Sequence, residues 1–365
     1  MKVLPLLKPS CTDLEIELVE SVLRSGWWGQ GSMVEQFERE MGKRYGKKHC
    51  ITTNSATAAL HLACKVAGIG PGDEVIVPAL TFISTALAAI YCGAKVIFAD
   101  VYEDTLCVDM FDVEKKFTRN TKMVIPVDYA GYPCMNVIPY GLIPHRRWTI
   151  VQDAAHSCGG LGYGDMICLS FHPVKNLATF DGGCILTDND EWAERARALR
   201  WCGINKSTWE RSQKKYGWDY QIEEVGYKYH FSDVGAAIAL AQLSRLDDLN
   251  QRRREIAMIY NDEFSELEDT GLVQLPVDHW NHTWHLYPIR VDAGKRNALI
   301  DWLLERGISA GVHYKPLTEY SMYNDQPTPP VTEREWQRLV SLPIYYDLED
   351  SDVERVADVV KAFFS

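Results

Sequence analysis

The sequence predicts an open α/β fold with a mostly parallel sheet, followed by a smaller α+β unit, on three observations. Five short Val- and Ile-rich runs in the first two-thirds of the chain are apolar on both faces. Helical or loop segments separate each run from the next, as crossovers between parallel strands require. From about residue 233 the texture changes to a long amphipathic stretch, one strand and closing helices.

Each element has its own signal. Residues 33–45 have helical spacing, with Val34, Phe37 and Met41 on one face. "SATAALHLACKVA", residues 55–67, is a small-residue helix that opens directly after Thr52-Thr53-Asn54. The five strand runs are "DEVIVPA", "AKVIFADV", "TKMVIPVDYAG", "WTIVQDAA" and "ICLSF". Residues 233–264 read as one long amphipathic helix, "HTWHLYPIRV" as a strand and "RNALIDWLLERGI" as a helix. A proline-rich loop, "NDQPTPP", comes before the closing helix "DVERVADVVKAFF". No internal repeat is visible.

At 365 residues the chain exceeds one small core, and the change of texture divides it into domains of residues 1–245 and 246–365. It is 46% hydrophobic and 24% charged, the composition of an ordinary soluble protein. A net charge of -12 argues against a nucleic-acid partner, which would need a basic stripe. The densest basic run, Arg252-Arg253-Arg254, is followed by Glu255 and reads as a solvated helix face. Ten scattered cysteines without a Cys-x-x-Cys pair suit a reduced, intracellular chain. "MKVLPLLKPS" is too short and proline-broken for a signal peptide, and no apolar run is long enough to span a bilayer. The expectation is a cytoplasmic protein without a membrane partner.

The chemistry concentrates at a few positions. Lys175 lies between "ICLSF" and Gly182-Gly183, flanked by Phe171, Pro173 and Leu177. Most lysines are surface charges, but these flanks suggest a packed turn, where a lysine loses its proton more readily and can act as a nucleophile. Asp153 ends the run "WTIVQDAA"; it is either a helix N-cap or a carboxylate facing a site at a strand end. "TTNSATAAL" offers a strand end, a polar turn and a helix start, which is a plain cap or a phosphate cradle. "GGLGYGD" is no dinucleotide fingerprint, because no helix-forming stretch follows it. His279, His282 and His285 recur at every third position, but a strand would scatter them over both faces; no metal site is expected.

In combination these parts are more specific. A phosphate-cradling helix start, an aromatic-bearing segment with Phe82, a strand-end aspartate and a turn lysine occur in that order. Pyridoxal 5′-phosphate requires those parts: a lysine for the Schiff base, an acid for the pyridine nitrogen, a ring over its face and donors for its phosphate.

The same order and wording resemble the DegT/StrS-type nucleotide-sugar aminotransferases, a branch of the fold-type-I pyridoxal-phosphate enzymes. The resemblance runs from "SGWWGQGSMVEQFEREMGKRYG" through "SFHPVKNLATFDGG" and "VGYKYHFSDVGAAIALAQLSRLD" to "GVHYKPLTEY" and "LPIYYDL". It implies that Lys175 is the Schiff-base lysine and proton carrier, and that Asp153 pairs with the pyridine nitrogen. It likewise implies Phe82 on the ring, Ala56, Thr57 and Ser170 on the phosphate, and His156 where the family has a glutamine near the ring hydroxyl. The family's Asn-Tyr-Arg reads Lys228-Tyr229-His230 here, so Lys228 stands where an asparagine reaches the phosphate in the neighbouring subunit. Gly-Glu-Gly-Gly reads Phe180-Asp181-Gly182-Gly183.

The resemblance further implies transfer of the amino group of L-glutamate to a nucleotide-linked 4-keto-6-deoxyhexose by a homodimer with shared sites. Trp28, Tyr229, His313 and Tyr314 are the candidate sugar liners. Related sugar dehydratases carry a histidine in place of the lysine, so Lys175 favours transamination. A non-catalytic relative that binds cofactor or nucleotide sugar, and an enzyme acting on a keto-cyclitol, are the alternatives.

Overall fold

The computed structural model describes residues 3–134, 148–205, 209, 212–214, 216–323 and 325–365. The five apolar runs form β2 (Glu74–Pro78), β3 (Lys95–Ala99), β4 (Thr121–Val124), β5 (Thr149–Asp153) and β6 (Met166–Ser170). Two further strands, β1 (His49–Thr53) and β7 (Gly183–Thr187), complete a sheet of order β1-β7-β6-β5-β4-β2-β3. The pairs from β3 to β6 are parallel. β7 runs antiparallel to both β6 and β1.

Side-chain alternation along β6 explains why the sheet is covered on both faces. Met166 and Cys168 enter one core with α3 (Ala56–Val66), α4 (Ile83–Ile90) and, further along the chain, residues of 190–199. Ile167 and Leu169 enter another with Val34, Phe37 and Met41. Those three residues lie on the helix at Ser32–Tyr45, which is α2, since α1 spans Asp13–Ser25. Successive residues thus face opposite layers, and both layers are apolar.

Further helices of this part are α5 (Met110–Lys115), α6 (Asp190–Leu199) and α7 (Asp233–Ser244). The stretch expected as one helix over 233–264 is two, because the chain turns at Arg245 (φ -121°, ψ 15°) and continues as α8 (Leu246–Glu263). The Arg245 guanidinium there donates to the Ser10 carbonyl at 2.8 Å and to Glu15 at 2.9 Å. Amphipathic spacing carries through that bend and so conceals it.

A second sheet of β8 (Val273–Gln274), β9 (Tyr287–Val291) and β10 (Leu339–Leu342) has the antiparallel order β10-β9-β8. It packs on α8, on α10 (Ala293–Glu305) and on α12 (Asp350–Phe364); α9 (Ser265–Asp269) and α11 (Pro330–Trp336) are short. The strand expected from residue 282 begins only at Tyr287. Trp284 has φ 49°, and the Thr283 and Leu286 N–H groups donate to the carbonyls of Gly131 and Ala130 instead of to a ladder. All ten cysteines are free thiols. Among the described residues no helix is long and apolar enough to cross a membrane.

Candidate active site

The register of four strands creates the site. Ser170 at the end of β6 and Thr53 at the end of β1 both stand opposite Gly183, the first residue of β7. Asp153, at the end of β5, pairs with Cys168 one strand further on. Four residues are thereby lined up along the edge where parallel strands end, the place ligands occupy in such sheets. Gly183 is required there, because an added Cβ would lie 2.6 Å from the Ala56 nitrogen. The first turn of α3 therefore comes directly against this edge.

That first turn has N–H groups no earlier carbonyl in the helix can accept. Ser55 caps it through a 3.1 Å bond from the Ala58 N–H, leaving the Ala56 and Thr57 end of the helix toward the edge. Thr57 Oγ1 lies 2.7 Å from Ser84 Oγ, which ties α3 to α4. Phe82 is the N-cap residue of α4, and the residue is 55% exposed, which leaves aromatic surface open.

Lys175 occupies the loop between β6 and β7. Hydrogen bonds from the Phe171 N–H to the Gly182 carbonyl (2.8 Å) and from the Thr179 N–H to the Phe171 carbonyl (2.7 Å) close the base of that loop. Asp181 Oδ1 accepts the Gly182 N–H at 2.8 Å. Part of the Lys175 side chain reaches solvent, yet burial is the largest influence on its amine and brings it down to about 8. The Asp153 charge works against that shift and the Arg253 charge adds to it.

Asp153 is buried, which raises its carboxyl above the ordinary value. A 2.8 Å bond from Thr85, the Ala155 N–H at 3.2 Å and the Lys175 charge oppose the rise. Around the lysine stand three imidazoles. His285 Nε2 is 3.3 Å from Lys175 Nζ. The His156 ring lies 4.4 Å from the His285 ring, and its Nε2 is 3.0 Å from the Tyr314 hydroxyl. His313 is adjacent in sequence, and its backbone carbonyl accepts the Tyr129 hydroxyl. Burial, then the Lys175 charge, holds His156 and His285 well below the usual imidazole value and His313 at about 4. The Phe82 ring is 6.0 Å from the Tyr314 ring, which joins the aromatic face to this cluster.

The expected residues therefore divide. Lys175, Asp153, His156, Phe82, Tyr314 and His313 gather at one end of the edge, with Ala56, Thr57 and Ser170 at the other. Lys228, Tyr229 and Trp28 lie apart from the lysine. Asn54 holds the backbone of residues 228 and 229 through its N–H and amide, but Lys228 Nζ sits 3.4 Å over the Trp201 ring and Tyr229 OH is 3.2 Å from His61. Trp28 is exposed and lines a cleft of about 310 Å³ with Trp201 and His230.

Several participants escaped sequence reasoning. His285 appeared only as the last member of a three-histidine run, and those histidines diverge. His279 Nδ1 accepts the Asn281 N–H, His282 Nδ1 accepts the Trp284 N–H, and His285 alone turns to the lysine. Arg253, expected on a solvated face, is buried and donates to the carbonyls of Trp284, His285 and Ile344. Arg253 faces inward from α8, while its neighbours Arg252 and Arg254 pair with Asp350 and Asp278. Thr85 gave no sequence signal beyond its place in the segment that bears Phe82.

Comparison with known proteins places this geometry. Residues 9–361 match the model of the DegT/DnrJ/EryC1/StrS aminotransferase family. The chain is 38% identical to the spore coat polysaccharide biosynthesis protein SpsC of Bacillus subtilis (strain 168), over 98% of this chain and 96% of that one. Among solved structures it is similar to the aminotransferase TlmJ from Streptoalloteichus hindustanus, with 30% identity, a TM-score of 0.91 and 99% of each chain covered. The PMP-form of Spr1654 from Streptococcus pneumoniae has 29% identity and a TM-score of 0.90, over 99% of this chain and 98% of that one.

The fold is that of a fold-type-I aminotransferase, and the enzyme class is the pyridoxal-phosphate-dependent transaminases. The chain belongs to the DegT/DnrJ/EryC1/StrS aminotransferase family. The residues at the edge fit that cofactor: a buried amine titrating near 8, a buried carboxylate, an open aromatic face, and a helix start admitted by the missing side chain of Gly183.

Proposed function

We propose that the enzyme moves the amino group of L-glutamate to a nucleotide-linked 4-keto-6-deoxyhexose. The observation that supports this best is the convergence of the Lys175 amine and the Asp153 carboxylate at a sheet edge that also receives the α3 N-terminus. The similarity to SpsC, a spore coat polysaccharide biosynthesis protein, supports a sugar as the acceptor.

Pyridoxal phosphate, when bound, supplies an electron sink for the pair left behind as a proton departs from carbon. In this reading Lys175 holds the cofactor and, when its amine is free, takes and returns that proton. An amine titrating at about 8 has its lone pair available close to neutral pH, where a general base works best. Asp153 keeps its negative charge through the Thr85 and Ala155 donors and holds the pyridine nitrogen in its protonated state. The Ala56 and Thr57 N–H groups and the Ser170 hydroxyl hold the phosphate, with the positive end of the α3 dipole behind them. Phe82 covers the ring, and His156 stands beside its hydroxyl.

His313 and Tyr314 line the acceptor position nearest the lysine. Trp28, Tyr229 and Lys228 are assigned to the site of the neighbouring copy in a homodimer, since in their own chain they point elsewhere. The test is an absorbance spectrum of the purified protein with and without L-glutamate, beside Lys175→Ala. A visible band that L-glutamate bleaches and the variant lacks is expected; a band independent of Lys175 overturns the assignment. Nucleotide-linked 4-keto-6-deoxyhexoses should then restore the band, and a keto-cyclitol should not. Sedimentation should report a dimer.

A further inference from the structure

Behind Lys175 runs a chain of hydrogen bonds whose direction is fixed from its far end. The Cys158 carbonyl can only accept, so the 3.0 Å contact with Asn250 must come from the Asn250 Nδ2. That turns Asn250 Oδ1 toward Asn176. Asn176 Nδ2 then donates to Asn250 Oδ1 and to the Thr283 carbonyl, both at 2.7 Å. Its two hydrogens are used, and its Oδ1 faces His285 Nδ1 at 3.2 Å.

An amide oxygen has no proton to give, so His285 Nδ1 carries the hydrogen. Burial first, then the charges of Lys175, His156, Arg253 and His313, keeps the ring neutral. The other nitrogen, Nε2, is therefore a lone pair, and it lies 3.3 Å from Lys175 Nζ. His156 is locked in the opposite sense. Its Nδ1 accepts the Ala130 N–H at 3.3 Å, so its Nε2 carries the hydrogen and donates to the Tyr314 hydroxyl. Two neighbouring imidazoles, 4.4 Å apart and inclined at 44°, present one acceptor and one donor to the same small space.

We propose that His285 is a positioning residue for the transamination: its Nε2 lone pair, set by the Asn176–Asn250 relay, receives an N–H of Lys175 and holds the free amine in one orientation. The proposal rests on the assignment of Lys175 made above. A neutral acceptor suits that task. It bonds the ammonium more strongly than the amine, so it partly offsets the effect of burial on Lys175. It does not compete for the proton, because its own basicity is suppressed. The other groups facing the amine are Asp153, His156, His313 and Arg253, and none of these four hydrogen-bonds to it.

Two measurements test this on the full-length chain. Nitrogen-15 NMR of histidine-labelled wild type should show His285 as the Nδ1–H tautomer; the Nε2–H tautomer overturns the proposal. Competitive acetylation of amines in the cofactor-free protein, read by peptide mass spectrometry across pH, should show Lys175 titrating lower in His285→Phe. A fall of about one unit from about 8 raises the free-amine fraction at pH 7 about fivefold, and Lys175 labels correspondingly faster. Asn176→Leu should shift it the same way, and His285→Gln, whose amide oxygen can accept, should return it to the wild-type value. Unchanged labelling in the phenylalanine variant, or a glutamine variant no better than it, overturns the proposal. If the spectrum of Lys175→Ala shows that another residue carries the cofactor, Lys175 labelling still reads the His285 contact, so the two failures are distinguishable.

Discussion

Thr85 Oγ1 donates a 2.8 Å hydrogen bond to Asp153 Oδ2, and the two side chains are 0% and 4% exposed. The hydroxyl is itself held by Thr81 at 2.8 Å. Burial thus pushes the Asp153 carboxyl toward its neutral form, and its neighbours oppose that shift. Thr85→Val preserves shape and removes the donor. A hydrogen bond to a charged group contributes about 1.5–3 kcal/mol, so kcat should fall about 10- to 100-fold. KM for L-glutamate should change little. Without the donor, Asp153 takes up a proton at higher pH, so the acid limb of the pH–rate profile should move upward. Steady-state kinetics across pH check both, and a wild-type profile would remove Thr85 from the machinery.

Lys175 has a cost for the fold that its chemistry requires. Its amine titrates at about 8 in the folded chain against 10.5 ordinarily, so the unfolded chain binds more protons between those values. Stability therefore rises with pH across that window, and the full penalty stands below about pH 8. In the cofactor-free protein Lys175→Met should be more stable than wild type at neutral pH, on the order of 2–3 kcal/mol. The advantage should shrink as the pH approaches 10.5. Urea unfolding at neutral and alkaline pH measures it, and equal stabilities at neutral pH would refute the buried-amine account.

What the sequence revealed and what it hid divide along a physical line. Lys175, Asp153 and the helix start after Asn54 were legible because each sits where a short apolar run ends, and strand ends converge in a parallel sheet. His285 and Asn250 were not. They reach the lysine loop across 110 and 74 residues of chain, and no local period encodes such a closure. β7 was hidden as well, because its five residues begin on the second glycine of a pair without a separating helix. Arg253 was misread because charge runs look alike whether one member faces in or out.

Asp128 shows how the imidazole side of the site is held. Its fully buried carboxylate accepts from Gln152 Nε2 (2.7 Å), Ser157 Oγ (2.5 Å), the Cys134 N–H (2.9 Å) and Tyr163 OH (3.2 Å). Gln152 and Ser157 are near neighbours of Asp153 and His156 in the chain. Burial raises Asp128 to about 6 from 3.8, so its contribution to stability is full below 3.8 and lost as pH rises through about 6. In Asp128→Asn either orientation sets an NH2 against a fixed donor, Gln152 Nε2 or the Cys134 N–H. Gln152 cannot turn over, because its oxygen takes the Tyr163 N–H at 3.0 Å. The variant should lose about 2 kcal/mol at neutral pH. On acidification the wild type gains and the variant does not, so the gap should widen; urea midpoints at two pH values decide it.

Gly183 is the sharpest test of the proposed phosphate cradle. An added Cβ would lie 2.6 Å from the Ala56 nitrogen and 2.7 Å from the Leu169 oxygen and the Ser55 carbonyl carbon. All three are backbone atoms, so none can swing aside as a side-chain end could. Relief requires the first turn of α3 to move off β7, carrying the Ala56 and Thr57 N–H groups with it. Lys175, in the loop before β7, and Asp153, on β5, stay in place. In Gly183→Ala the affinity for pyridoxal phosphate should therefore fall at least about tenfold, a loss of about 1.4 kcal/mol or more. The chemistry at saturating cofactor should change less. Gly70→Ala, where a Cβ meets nothing within 4 Å, is the control and should bind as wild type does. Absorbance titration of cofactor into the cofactor-free protein reads both variants. Wild-type affinity in Gly183→Ala would mean that the phosphate is held somewhere other than the start of α3.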